Sequence, residues 1–270
     1  ILTEDELREI LGSGKKLSSY YGAATTGPFH MAYLIPLTKV FDFNKAHIKT
    51  KILLADIHAA LDDLKSDWSQ IEMRAKYYQK CIELSLPWDE KPEFVLGSGF
   101  QLDKDYCNDV LKMATHVTVN RATRAASEVT RMKNPKVSEI IYPIMQALDE
   151  EYLDVDIQIG GIDQRHIMAL AREELPVLGY NPRVEVMTPL VASLKGPENK
   201  MSASLPDTHI KVYDSEAQIR EKISRAYCLA GDANNAVLHI AKFIVFTLKG
   251  KIEVERPAKF GGDVVFESYG

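Results

Sequence analysis

A chain of 270 residues, 46% hydrophobic and 26% charged, is long and apolar enough for one large domain or a domain and a half, which excludes a disordered protein. Its net charge of −5 gives no whole-protein field for nucleic acid, so no DNA partner is expected, although a local basic patch would suffice for recognition. No apolar run approaches the roughly 20 residues that span a bilayer, and Cys81, Cys107 and Cys228 are widely spaced without a CxxC pair. A reduced, cytoplasmic location without a membrane or structural zinc is expected, and Ile1 in first position suggests that residues ahead of it are missing.

In chain order, "LSSYYGAA" (17–24) reads as a strand ending in a small-residue turn. From His30 to about Asn44, Met31, Leu34, Ile35, Leu37, Val40 and Phe41 recur at helical spacing. "IKTKILLADIHA" reads as strand and turn, a helical pattern runs from about Trp68 to Leu84, and "EFVLGS" is a third strand. Helical patterns then dominate 103–150 as an insertion, before a fourth strand in "DVDIQIGG". A helix from about Gln164 to Leu175 and a fifth strand in "RVEVMTP" follow. This alternation predicts an α/β fold built on a doubly wound parallel sheet. The first region, 1–204, ends in the loop "KMSAS"; beyond it "SEAQIREKISRAYC" and "NNAVLHIAKFIVFTL" predict a mainly helical second region, 205–270, that is expected to be truncated.

Open parallel sheets bind ligands beyond the carboxyl ends of their strands. At the first exit, Gly22, Ala23 and Ala24 would let a ligand approach the backbone closely. His30 falls near the next helix start, where free N–H groups favour phosphate, and Tyr33 lies one turn on. The alternative is a plain helix start with a boundary aromatic. Neither GxGxxG nor GxxxxGK[ST] occurs at this exit, which argues against a nicotinamide dehydrogenase and a P-loop NTPase. Tyr142, Gln146 and Asp149, spaced four and three apart, share one face of a helix otherwise carrying Ile144, Met145 and Leu148. Such a stripe faces either solvent or a polar-lined pocket for a small zwitterion. Gly160 and Gly161 again permit close approach, Asp163 sits where a carboxylate can accept ribose hydroxyls, and Gln164 opens the following helix. Lys200, Ser202 and Ser204 place a cation and two hydroxyls on a polar loop that is either a solvated turn or the wall of a phosphate site.

Together these stretches resemble the class I aminoacyl-tRNA synthetases. "TGPFHMAY" resembles that class's His-Ile-Gly-His motif, with His30 kept and Tyr33 in place of the second histidine; "KMSAS" resembles Lys-Met-Ser-Lys-Ser, with Ala203 in place of the second lysine. "YYGAATTG", "ILLADIHAALD" and "YPIMQALDEEYLDVDIQIGGIDQR" are most similar to tyrosyl-tRNA synthetases of the eukaryotic cytoplasmic type, with tryptophanyl enzymes as near relatives. The resemblance implies a Rossmann-type catalytic domain with a helical insertion at a homodimer interface, then a helical anticodon-recognition domain. It implies ATP with Mg²⁺, tyrosine and tRNA-Tyr as substrates and no tightly bound cofactor or resident metal. Tyr20 and Asp149 would hold the substrate hydroxyl, Tyr142 and Gln146 its ammonium group, and Gln164 would help to position it. Gly22, Ala24, His30, Tyr33, Gly161, Asp163, Lys200 and Met201 would line the ATP site, with Ser202 and Ser204 closing over the phosphates beside His30 and Lys200. A noncatalytic, synthetase-derived RNA-binding or interaction module is the alternative from another class; it would have no need of His30, Asp163, Gln164 and Lys200.

Overall fold

The parallel sheet expected from the strand–helix alternation has five strands, in a computed structural model that describes residues 2–130, 134–205 and 207–269. Two units divide the chain, the first comprising residues 1–27 and 39–189 and the second residues 28–38 and 190–270.

The first unit opens with helix α1 (Glu4–Gly12) and strand β1 (Ser18–Ala24). Helix α2 (Leu34–Lys45) leads to β2 (Lys49–Ala55), the short α3 (Asp56–Leu61), α4 (Ile71–Ser85) and β3 (Glu93–Leu96). The insertion folds as α5 (Lys104–Ala114), α6 (Val119–Ala126) and α7 (Val137–Tyr152), after which come β4 (Ile157–Gly161), α8 (Arg165–Glu174) and β5 (Val184–Thr188). All four strand pairings are parallel, in the order β3-β2-β1-β4-β5. Parallel strands are covered on both faces, which is why β2 keeps Ile52, Leu53, Leu54 and Ala55 all buried instead of alternating.

Helix α7 is the element that matters for the site. Nine of its sixteen residues are buried, and Ile144, Met145, Ala147 and Leu148 share one cluster with Tyr106, Met113, Ala171 and Leu175. Pro143 lies inside it and removes one i→i−4 hydrogen bond, a cost of about 3 kcal/mol that tertiary packing must offset. A helix so enclosed has no solvent-facing stripe to spare.

In the second unit β6 (Ala192–Ser193) and β7 (Gly196–Lys200) form an antiparallel hairpin, turning at Gly196 with φ +139°. Helix α9 (Glu216–Ser224) starts with a capping box in which Ser215 N–H donates to Gln218 Oε1 (2.8 Å). Helix α10 (Ala236–Ile240), capped by Asn235, continues through a π-helical turn (Ala241–Val245) into α11 (Phe246–Lys249). A last hairpin pairs β8 (Ile252–Val254) with β9 (Val264–Phe266). The β8–β9 hairpin is absent from the mainly helical expectation for 205–270, and β6–β7 from the strands expected within 1–204: pairs of two to five residues are too short to show a period of two. Ile35, Val191, Leu194, Met201, Ile210, Ala236, Ile240 and Ile244 form this unit's core. No helix among the described residues is long and apolar enough to cross a membrane.

Candidate active site

Strands β1 and β4 are neighbours from which the sheet is extended to either side, so the crevice of a doubly wound sheet opens beyond their carboxyl ends. Gly22 and Ala24 lie at the end of β1; Gly161, Asp163 and Gln164 lie at and just past the end of β4, in a short 3-10 turn before α8. Gly22 is exposed, and a Cβ there would meet only Tyr20 Cε2 at 3.7 Å and Leu53 Cδ2 at 3.9 Å among the described residues. Packing therefore does not demand glycine at 22. At Gly160 a Cβ would come within 2.6 Å of Met168 Cε on α8, so the end of that side chain would have to shift.

The polar stripe of α7 faces inward. Tyr142 and Asp149 are 5% and 1% exposed, and Gln146 is half-buried. Asp149 Oδ1 accepts hydrogen bonds from Gln101 Nε2 (2.7 Å) and Tyr106 Oη (2.9 Å), while Oδ2 has no hydrogen-bond partner among the described residues. His58 Nε2 lies 3.8 Å from that open oxygen, and the His58 ring meets the Tyr142 ring edge-on at 4.6 Å. Burial keeps His58 neutral, its pKa lowered to about 4. Gln146 Nε2 donates to Gln164 Oε1 (3.1 Å), and Gln164 Nε2 reaches Asp163 Oδ1 at 3.4 Å, which links the α7 face to the β4 exit. Tyr20, 1% exposed, donates its hydroxyl hydrogen to Gln158 (2.9 Å) rather than to Asp149.

Burial raises the Asp149 carboxyl to about 7, with Gln101 and Tyr106 pulling in the opposite direction. Its folded pKa lies above the unfolded value, so the stability it contributes is fully present below about pH 4 and is lost as pH rises through about 7. Asp149→Asn should remove that loss: the melting temperature of the wild type should fall relative to the variant between pH 5 and pH 8. A constant gap over that range would contradict the buried-carboxyl reading.

Gln101 is itself held in place by a glycine. A Cβ on Gly97 would lie 2.7 Å from Gln101 Oε1 and 2.8 Å from Asp56 Oδ1, which already accepts from the Ile57 and Ser98 N–H groups. Gly97→Ala should therefore displace Gln101 from Asp149 and cost about 1–3 kcal/mol of stability by overpacking. A denaturant melt checks this; an unchanged midpoint would show that the Gln101 side chain gives way without cost.

In the second unit, His30 is 5% exposed and caps the turn Met31–Tyr33, its Nδ1 accepting from Ala32 N–H at 3.3 Å. Its pKa is lowered to about 3, mainly by burial and then by His209, whose ring lies 5.2 Å away. With Nδ1 accepting, the neutral ring carries its hydrogen on Nε2 and is a donor, not a cation. Tyr33 is half-buried, stacked on Phe29 at 4.7 Å and tilted against His30 at 4.8 Å. Lys200 is exposed at the end of β7, and Ser202 Oγ and Ser204 Oγ lie 3.0 Å apart in the loop beyond it. Met201 is 4% exposed with its side chain in the core and its N–H bonded to Val191 O (2.8 Å), so only its backbone carbonyl is left for a ligand.

Sequence reasoning missed Gln101, Tyr106, His58 and Gln158. Gln101 follows the third strand exit and His58 the second, where the strand-end rule already points. Gln158 and Glu185 were visible as single polar residues inside "IQI" and "VEV", out of keeping with strands buried on both faces. Tyr106 left no such mark.

Residues 13–262 match the family model of class I tRNA synthetases (W and Y). The chain is 41% identical over 276 residues to the cytoplasmic tyrosine--tRNA ligase of Danio rerio, covering all of this chain and 51% of that protein. It is 44% identical over 272 residues to the tyrosine--tRNA ligase of Archaeoglobus fulgidus, covering all of this chain and 83% of that protein. The crystal structure of the Archaeoglobus fulgidus synthetase complexed with L-tyrosine superimposes with a TM-score of 0.93, over 98% of this chain and 83% of that one. The chain spans about half the length of the vertebrate relatives it matches. The chain belongs to the class I tRNA synthetases of the tryptophan and tyrosine type, and within them to the tyrosyl-tRNA synthetase family.

Proposed function

We propose that the chain activates L-tyrosine with ATP and, within its protein, transfers the tyrosyl group to tRNA-Tyr. One observation carries the substrate choice: Asp149 is buried on α7 with Oδ2 open, in a chain 44% identical to an archaeal tyrosine--tRNA ligase. Tyr20 and Asp149 bind the phenolic hydroxyl, Tyr142 and Gln146 the ammonium group, and Gln164 orients both Gln146 and the substrate. Gly22, Ala24 and Gly161 bring backbone close to ATP, and Asp163 accepts from the ribose. His30 Nε2–H, Lys200, Ser202 and Ser204 act on the phosphates, with Tyr33 holding the His30 ring and Met201 contributing backbone. ATP enters as its Mg²⁺ complex.

In the first step a tyrosine carboxylate oxygen attacks the α-phosphorus, the bond to the bridging oxygen breaks, and pyrophosphate leaves. In the second a ribose hydroxyl of the terminal adenosine attacks the adenylate carbonyl and AMP leaves. Neither step needs a protein nucleophile; positioning and charge stabilisation suffice. Phenylalanine is rejected because Asp149 loses a buried, charge-assisted hydrogen bond, worth about 1.5–3 kcal/mol.

Residues 1–204 form the catalytic domain in this reading and 205–270 begin an anticodon-recognition domain. The exposed Leu102, Leu111, Val119 and Val137, on or beside the insertion helices, support a homodimer through that region. The cytoplasmic relatives support the same location for this chain. Incubation with ATP and labelled amino acid, followed by isolation of the enzyme-bound adenylate, tests the activation step. Retention of label from tyrosine supports it, and retention from tryptophan alone contradicts it.

A further inference from the structure

Behind Tyr20 lies a buried polar network that the reaction itself does not require. Tyr20 on β1 is in register with Gln158 on β4, which is in register with Glu185 on β5. Residues opposite one another on parallel strands share a face of the sheet, so the three side chains form a row. Glu150, next to Asp149 on α7, meets the same row from above the sheet. Tyr20, Gln158, Glu150 and Glu185 are 1%, 3%, 0% and 0% exposed.

The amide of Gln158 has two hydrogens at one end and none at the other. At one end it faces Glu185 Oε2 (3.1 Å) and Glu150 Oε1, and at the other the Tyr20 hydroxyl (2.9 Å). Two carboxyl oxygens take both amide hydrogens, so the amide oxygen must face Tyr20 and the Tyr20 hydroxyl must donate to it. Burial raises both carboxyls, and the Glu150 charge raises Glu185 further, so the proton sits on Glu185 and is donated to Glu150; the lone pairs facing Gln158 remain as acceptors, with Arg172 and Arg183 as the tempering cations. That leaves the Tyr20 oxygen with only lone pairs to offer the pocket, beside Asp149 Oδ2, which has no hydrogen-bond partner among the described residues and is a second acceptor once Asp149 is ionised, above about pH 7.

We propose that Glu150 and Glu185 are positioning residues that, through Gln158, hold the Tyr20 hydroxyl as an acceptor, so that the site selects a para substituent by the hydrogens it can donate. This rests on the tyrosine reading of the pocket. A phenol supplies one hydrogen to the two acceptors. An aniline supplies two, whereas fluorine or a methyl ether supplies none.

The test is ATP–pyrophosphate exchange by the wild-type chain with L-tyrosine, 4-amino-, 4-fluoro- and O-methyl-substituted substrates. The amino compound should reach a kcat/KM within about 10-fold of tyrosine, and the other two should fall at least about 10²-fold lower, the cost of an unpaired buried charge. In Glu185→Gln the new amide can donate to Gln158, which is then free to turn and make Tyr20 a donor. The amino-to-tyrosine ratio should drop by about 10-fold, equivalent to one hydrogen bond, with KM for ATP unmoved. Glu150→Gln provides the same reading if Glu185→Gln does not fold, and the wild-type series decides alone if neither does. An amino compound about 10²-fold or more below tyrosine, or an unchanged ratio in a folded variant, overturns the proposal. A failure of the tyrosine reading looks different: no exchange with tyrosine itself.

Discussion

Asp149→Ala should lower kcat/KM for tyrosine in ATP–pyrophosphate exchange by about 10²–10³-fold, while ATP binding remains measurable. The loss combines a buried charge-assisted hydrogen bond to the substrate hydroxyl, about 1.5–3 kcal/mol, with the unpairing of Gln101 and Tyr106, which both donate to Oδ1. Discrimination against phenylalanine should shrink in the same variant, because the pocket no longer holds a charge that a missing hydroxyl leaves stranded. Kinetics with both amino acids, beside a melt to confirm folding, provide the readout. Tyrosine activation unchanged from wild type would remove Asp149 from the pocket.

The second large effect belongs to Lys200. It is exposed at the end of β7, and the alanine at 203 leaves it as the lysine of the "KMSAS" stretch. Lys200→Ala should reduce kcat for adenylate formation by about 10²–10³-fold, the usual cost of removing one donor that stabilises transition-state charge. KM for tyrosine should hardly move, since the proposed amino-acid pocket is built from other residues. A variant with normal kcat and a raised KM for tyrosine would assign Lys200 to ground-state binding instead.

The sheet was legible because parallel strands buried on both faces leave near-continuous apolar runs such as "ILLA", and the helices between them repeat at 3.6 residues. The shared face of Tyr142, Gln146 and Asp149 was legible for the same geometric reason. Which way that face points was not. Its direction depends on the neighbours of α7 in the core, among them Tyr106, Ala171 and Leu175, and these come from distant parts of the chain. Gln101 and Tyr106 reach Asp149 across 48 and 43 residues of sequence, a separation over which no local pattern carries information. Met201 shows the opposite difficulty. Its place in a motif suggested a ligand contact, yet an apolar side chain at the root of a loop is drawn into the nearest core. His30 was legible as a donor at a helix start, but its neutrality follows only from burial and from His209, 179 positions later in a segment with no recognisable motif.

The central claim is tyrosine activation, and ATP–pyrophosphate exchange with each of the twenty amino acids tests it most directly. The account predicts exchange with tyrosine, abolished or severely reduced in Asp149→Ala, and none above background with phenylalanine or tryptophan. Exchange supported by tryptophan in preference to tyrosine, or tRNA binding with no exchange for any amino acid, would contradict it.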